Sequence, residues 1–197
     1  TLSVPLDPFR NDDEGELLDV VFGIHLAQGV RRGMIVVAVG GPGGAGISSG
    51  QLYLDSNRFG DAILNTMDII FFDQRGVGLS YGVDCPQAVS RFYQDSAYVT
   101  PYTPTDEERL IEINRNYAEE CVEEMNADWL LPYLSTKFAA EDLAVFLETL
   151  GDDDPIYLYG ESYGTQYSQT FAAAYPEWIK GLILDGVVDL TSSGEQY

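Results

Sequence analysis

The tightest constraint in this sequence lies between Ile156 and Tyr175. A short apolar run, Ile156-Tyr-Leu-Tyr159, leads into Gly160-Glu-Ser-Tyr-Gly164 and then straight into a helix-compatible run from Thr165 to Tyr175. There is no room for a loop, so the chain must pass from strand to helix inside one glycine-bracketed turn. A serine in the middle of such a turn is pushed out above the sheet, and small neighbours are needed where backbone and helix pass close.

The Gly-x-Ser-x-Gly pattern is not selective by itself, because it occurs three times, around Ser48, Ser80 and Ser162. Ser48 follows a glycine loop instead of a strand. Ser80 is followed by Gly82, Val83, Asp84, Cys85 and Pro86, which cannot open a helix cleanly. Ser162 alone has a strand before it and a helix after it. It is the candidate nucleophile, and the helix N-terminus beneath it favours developing negative charge.

The rest of the chain reads as strands alternating with helices. Glu16 to Ala27 mixes β-branched and aromatic residues, while Gly33 to Gly40 and Met67 to Asp73 are short continuous apolar runs of the kind that form fully buried strands. Each of the two runs ends in a glycine-rich loop, Gly40-Gly-Pro-Gly-Gly-Ala-Gly46 and Gln74-Arg-Gly-Val-Gly78. Residues 80 to 104 show no clear period and read as an irregular excursion. A helix is expected from Thr105, with Thr105 and Glu108 as a capping box and Leu110, Ile113, Tyr117, Cys121 and Met125 as an inward stripe. A second runs from Thr136 to Leu150 and stops at Gly151; Asp152 to Pro155 is a turn, and Leu182-Ile-Leu184 is the last strand. The expected architecture is α/β, a mostly parallel sheet with helices on both faces, in one domain over residues 1–197.

A serine is a poor nucleophile without oxyanion donors and a base. One donor is expected at the backbone N–H of Tyr163, the other in the glycine loop at Gly43 or Gly44. That loop lacks the Lys-Ser/Thr of a phosphate-binding loop. No base is evident. His25 is the only histidine; it falls within the Glu16 to Ala27 strand, far ahead of the nucleophile, and reads as a sheet residue with a local hydrogen bond. Either the chain lacks its catalytic base or another polypeptide supplies it.

Ten basic against 32 acidic residues, a net charge of -22, exclude a nucleic-acid partner and an anionic membrane surface. No apolar run approaches the roughly 18 residues of a membrane span, and no basic region leads into an apolar core at the N-terminus. Cys85 and Cys121 are the only cysteines and match no zinc-binding spacing. Their spacing fits either one disulfide or two buried thiols. No metal or cofactor is expected.

These residues resemble the α/β-hydrolase peptidases that include the proline iminopeptidases and the secreted tripeptidyl aminopeptidases. The resemblance rests on Val4-Pro5-Leu6-Asp7, the Gly40 to Gly46 loop, Phe72-Asp-Gln-Arg-Gly-Val-Gly-Leu-Ser80, Ser135-Thr136 with Glu141-Asp142-Leu143, Tyr159 to Thr165, and Leu184-Asp-Gly-Val-Val-Asp189, in the family's order. It implies an α/β-hydrolase fold, of which this chain is the N-terminal portion, with cap and C-terminal strands missing. It implies a serine hydrolase that removes amino-terminal residues or tripeptides from peptides through an acyl-enzyme, with Ser162 attacking and the acid and histidine lying downstream. It further implies a Cys85 to Cys121 disulfide, a secreted or extracytoplasmic location, and structural roles for Asp73 and Arg75 beside the site. Val39 stands where the iminopeptidases carry histidine, which favours the tripeptidyl branch. Glu161, a candidate substrate contact, is more like the serine carboxypeptidases. A carboxypeptidase, an esterase or lipase-like hydrolase, and a non-catalytic binding module are the alternatives. Asp185 and Asp189 do not match the family's catalytic acid and read as structural.

Overall fold

The computed structural model describes residues 1–10, 15–100 and 103–191. The elements in chain order are β1 (Leu2–Pro5), β2 (Leu17–His25), β3 (Gly33–Ala38), α1 (Gly46–Asp55), α2 (Gly60–Thr66), β4 (Met67–Asp73), α3 (Pro86–Ser96), α4 (Pro104–Met125), α5 (Thr136–Leu150), β5 (Ile156–Glu161), α6 (Tyr163–Ala174) and β6 (Ile179–Asp185). They form two compact units, Val83–Pro132 and the remainder.

The larger unit is built on a six-stranded sheet of order β1-β2-β4-β3-β5-β6. The two pairings that involve β2 are antiparallel, and β4, β3, β5 and β6 run parallel. Every residue of β3 and β4 is buried, as the continuous apolar runs demand of strands covered on both faces. On one face Met34, Val36, Ile70, Phe72 and Leu158 pack with Leu143, Phe146 and Leu147 of α5 and Tyr167 and Phe171 of α6. On the other, Ile35, Val37, Ile69 and Phe71 lie under Ile47, Tyr53 and Leu54 of α1 and Ile63 of α2.

Neither α1 nor α2 is legible in the sequence; in α1 the closest approaches to the sheet are made by glycines, which interrupt the apolar stripe of Ile47, Tyr53 and Leu54. A Cβ on Gly46 would fall 2.0 Å from the Phe72 carbonyl oxygen, and one on Gly50 would fall 2.3 Å from the Phe71 ring. The glycines around Ser48 are there for helix–sheet contact. Ser80, the other accidental match, is fully buried: its Oγ donates to the Asp73 carbonyl at 2.7 Å and accepts from Val21 N at 2.8 Å.

The loop after β4 is fixed by buried polar groups. Asp73 accepts from Ile47 N and from Leu79 N, both at 2.8 Å, so one carboxylate ties the first turn of α1 to the end of the loop. Arg75 forms a bidentate pair with Asp142 of α5, at 2.8 and 2.6 Å, and also donates to the carbonyls of Leu6 at 2.8 Å and Pro5 at 3.2 Å. Both residues are structural, as the resemblance implied.

The smaller unit packs α3 against α4. Pro86, read as a barrier to helix, instead occupies the first helical position of α3, where no N–H is needed; the expected irregular excursion therefore contains a helix. Glu124 accepts from Gln87 N and Ala88 N at 3.0 and 2.9 Å, filling the role of an N-cap from another helix. The start of α4 also differs from expectation. Thr103, not Thr105, is the cap, accepting from Asp106 N at 3.2 Å, because Pro104 then sits at the first helical position. Ile113 is buried and Leu110, Tyr117, Cys121 and Met125 partly so, as their spacing indicated. Cys121 is disulfide-bonded to Cys85, 36 residues earlier.

Closing a loop of that length contributes roughly 3–4 kcal/mol in the chain-entropy account. The double variant C85S/C121S is expected to make Val83–Pro132 the first segment cut in limited proteolysis, with the larger unit still protected. Equal protease resistance in variant and parent would contradict this.

Candidate active site

The carboxyl ends of β3, β4, β5 and β6 lie along one edge of the sheet, where open α/β sheets place their ligand sites. Ser162 sits there, exposed, as the single residue between the end of β5 and the start of α6. Its φ is 54° and its ψ is -120°, a left-handed conformation that an L-residue holds only when its surroundings impose it.

What imposes it is the approach of α6 to the sheet. A Cβ on Gly164 would fall 1.9 Å from the Ala38 carbonyl oxygen, and one on Gly160 would fall 2.4 Å from the Gly164 carbonyl oxygen. Backbone therefore touches backbone on either side of the serine. Polar contacts complete the turn: Ser162 N donates to the Asp185 carbonyl at 2.8 Å, and the Ser162 carbonyl accepts from Thr165 N and Thr165 Oγ1 at 2.9 and 2.7 Å. Thr165 Oγ1 in turn accepts from Val188 N at 2.8 Å, linking the turn to the segment after β6.

Tyr163 occupies the first position of α6, where a backbone N–H has no partner within the helix. Its hydroxyl is hydrogen-bonded to Thr136 Oγ1 at the start of α5, at 2.8 Å. In the glycine loop it is Gly40, not singled out from the sequence, that abuts the serine: a Cβ there would lie 3.2 Å from Ser162 Cβ. Gly43 and Gly44 lie beyond the Gly41-Pro42 cis bond, their nitrogens packed against Gly41. The signal for Gly40 was its place as the first glycine after the buried strand.

Glu161 points to the α1 and α2 side of the sheet. Both of its carboxylate oxygens are engaged there, Oε2 by the Tyr53 hydroxyl at 2.5 Å and Oε1 by Arg58 at 3.0 Å. Arg58 also donates to the Tyr159 hydroxyl at 3.1 Å, and that hydroxyl donates to Asp185 at 3.3 Å. Burial, and then the hydrogen bond to Glu161, push the Tyr53 hydroxyl up to about 12; burial raises Tyr159 as well, against the opposing pull of Arg58. Both phenols stay protonated and act as donors. Asp189 accepts from Thr191 N at 2.8 Å and Thr191 Oγ1 at 2.6 Å in a local turn.

His25 is not brought to this site. It pairs with Ile69 near the start of β4, because β2 runs antiparallel and ends at the opposite edge of the sheet. Three strand spacings and the length of the strands separate it from Ser162, on the order of 20 Å. Among the described residues its Nε2 is buried without a hydrogen-bond partner. Among the described residues no group of His, Cys, Asp or Glu is arranged to hold a metal ion.

The model of the alpha/beta hydrolase fold family matches residues 34–195. This chain belongs to that family. The α/β-hydrolase is 29% identical over 159 residues to a tripeptidyl aminopeptidase of Streptomyces lividans, covering 81% of this chain and 29% of that protein. It is also 29% identical over 192 residues to the serine protease Hip1 of Mycobacterium tuberculosis, covering 95% of this chain and 35% of the relative. The chain thus spans about a third of the length of these relatives. Among solved structures, a proline iminopeptidase of Mycobacterium smegmatis matches with a TM-score of 0.49 at 14% identity, over 92% of this chain and 42% of its own.

Strain of this kind costs of order 1–3 kcal/mol, and only glycine relieves it. S162G is therefore expected to be about 1 kcal/mol more stable than S162A in urea denaturation. Equal midpoints for the two variants would show that the turn is not strained.

Proposed function

We propose that this α/β-hydrolase is a serine peptidase that removes residues or tripeptides from the free amino terminus of peptides through an acyl-enzyme. The observation that carries the reading is Ser162, held in a left-handed turn at the carboxyl edge of the sheet between the loop after β3 and the end of β6. The two relatives, named as a tripeptidyl aminopeptidase and a serine protease, support a peptide as substrate.

In this reading Ser162 Oγ attacks the scissile carbonyl and passes its proton to a histidine. The backbone N–H of Tyr163 and one from the glycine loop, at Gly43 or Gly44, hold the oxyanion. The histidine then protonates the departing amine, and water releases the acyl group by the same route in reverse. No cofactor enters the sequence of steps.

The acid and the histidine come from residues outside this sequence, on a downstream segment or a second chain. Two observations support this. His25 lies at the wrong edge of the sheet, and β6 is an edge strand whose apolar residues point to both faces and stay open, Leu182 at 39% and Ile183 at 48% exposure. A strand with that pattern is suited to the interior of a sheet. The disulfide supports a secreted or extracytoplasmic setting. No helix among the described residues is long and apolar enough to cross a membrane.

Because an elbow serine serves any acyl transfer, the discriminating assay compares tripeptidyl anilides with free and acetylated amino termini, and simple esters. The full-length gene product is expected to cleave the free-amine anilide at least about tenfold faster than the blocked one, the size of one lost charged contact. Indifference to blocking, or preference for esters, would replace the aminopeptidase reading with an esterase.

A further inference from the structure

We infer that Arg58 is a positioning residue that sets the distance between the nucleophile turn and the glycine loop, with Glu161 as the carboxylate it grips. The proposal rests on Ser162 being the nucleophile.

Arg58 lies in the turn between α1 and α2. That turn is itself well defined: Arg58 N donates to the Tyr53 carbonyl at 2.9 Å, and Asn57 before it adopts a left-handed φ of 51°. The guanidinium is laid over the Tyr53 ring at 4.4 Å from its centroid. From there it reaches Glu161 at 3.0 Å and the Tyr159 hydroxyl at 3.1 Å, with the Asp185 carboxylate 4.0 Å away.

Two of these partners flank the serine. Glu161 immediately precedes Ser162, and Asp185 accepts the Ser162 N–H through its carbonyl. The other end of the link is α1, whose first residue, Gly46, closes the glycine loop. Tyr53 and Arg58 together therefore join the helix that carries the glycine loop to the strand end that carries the nucleophile. An oxyanion site needs its two donors and its nucleophile in fixed register, and a misplacement of about 1 Å costs up to a hundredfold in rate. Each carboxylate oxygen of Glu161 already accepts one hydrogen bond from this link, Oε2 from Tyr53 and Oε1 from Arg58.

The test uses the full-length gene product and the variants R58A, R58K, E161Q and R58A/E161Q. It reads the rate of Ser162 labelling by a fluorophosphonate, and kcat and KM on whichever acyl substrate the parent protein cleaves; thermal melting checks that each variant is folded. R58A is expected to slow labelling and lower kcat by about tenfold or more with KM within about twofold, and R58K to recover part of the loss. The double variant should be no worse than R58A, because the two residues form one link. Labelling of R58A at the parent rate would overturn the proposal. So would an E161Q that raises KM for a free-amine substrate without slowing labelling, since Glu161 would then read the substrate. A parent protein that labels but cleaves only esters would sink the peptidase reading and leave this test intact. A parent that does not label at all would remove the nucleophile, and this proposal with it.

Discussion

The structure around Ser162 depends on one close approach, that of α6 to the strands beneath it. Gly164 lies against the carbonyl of Ala38 at the end of β3, and Gly160 against the carbonyl of Gly164. With no side chain to hold the layers apart, the chain has a single residue in which to reverse from strand to helix. That residue takes the strain, and its side chain is left pointing away from the sheet. The exposure of Ser162, the open N-terminus of α6 beside it and the proximity of Gly40 all follow from the same contact.

The surrounding loops are held by buried polar groups rather than by regular structure. Asp73 bonds two separate backbone N–H groups, one in α1 and one in its own loop. Arg75 joins α5 to the end of β1 through Asp142 and two carbonyls. Removing one partner from such a pair leaves the other charged and buried, a loss of roughly 3–5 kcal/mol. The Asp73 to Ser80 motif is thus scaffold, although it lies beside the site.

The legible parts of the fold were those whose side chains carry a pattern. The apolar runs marked β3 and β4, Gly151 marked the end of α5, and context separated Ser162 from two other matches to the same pattern. The missed parts are those where the determining contact comes from elsewhere in the chain. Helix α1 is defined by its glycines meeting Phe71 and Phe72, and α3 is capped by Glu124 from α4. The engagement of Glu161 by Tyr53 and Arg58, more than 100 residues away in sequence, left no local trace, and neither did the position of Gly40 against the serine.

The chain brings a candidate nucleophile and candidate oxyanion donors to one edge of the sheet and leaves its single histidine at the other. Ser162 is the proposed reacting group. The most direct measurement is to treat the full-length gene product with a fluorophosphonate and locate the adduct by peptide mass spectrometry. The expected result is one adduct, on Ser162, absent from S162A. An adduct on Ser48 or Ser80, or none on the folded protein, would contradict it.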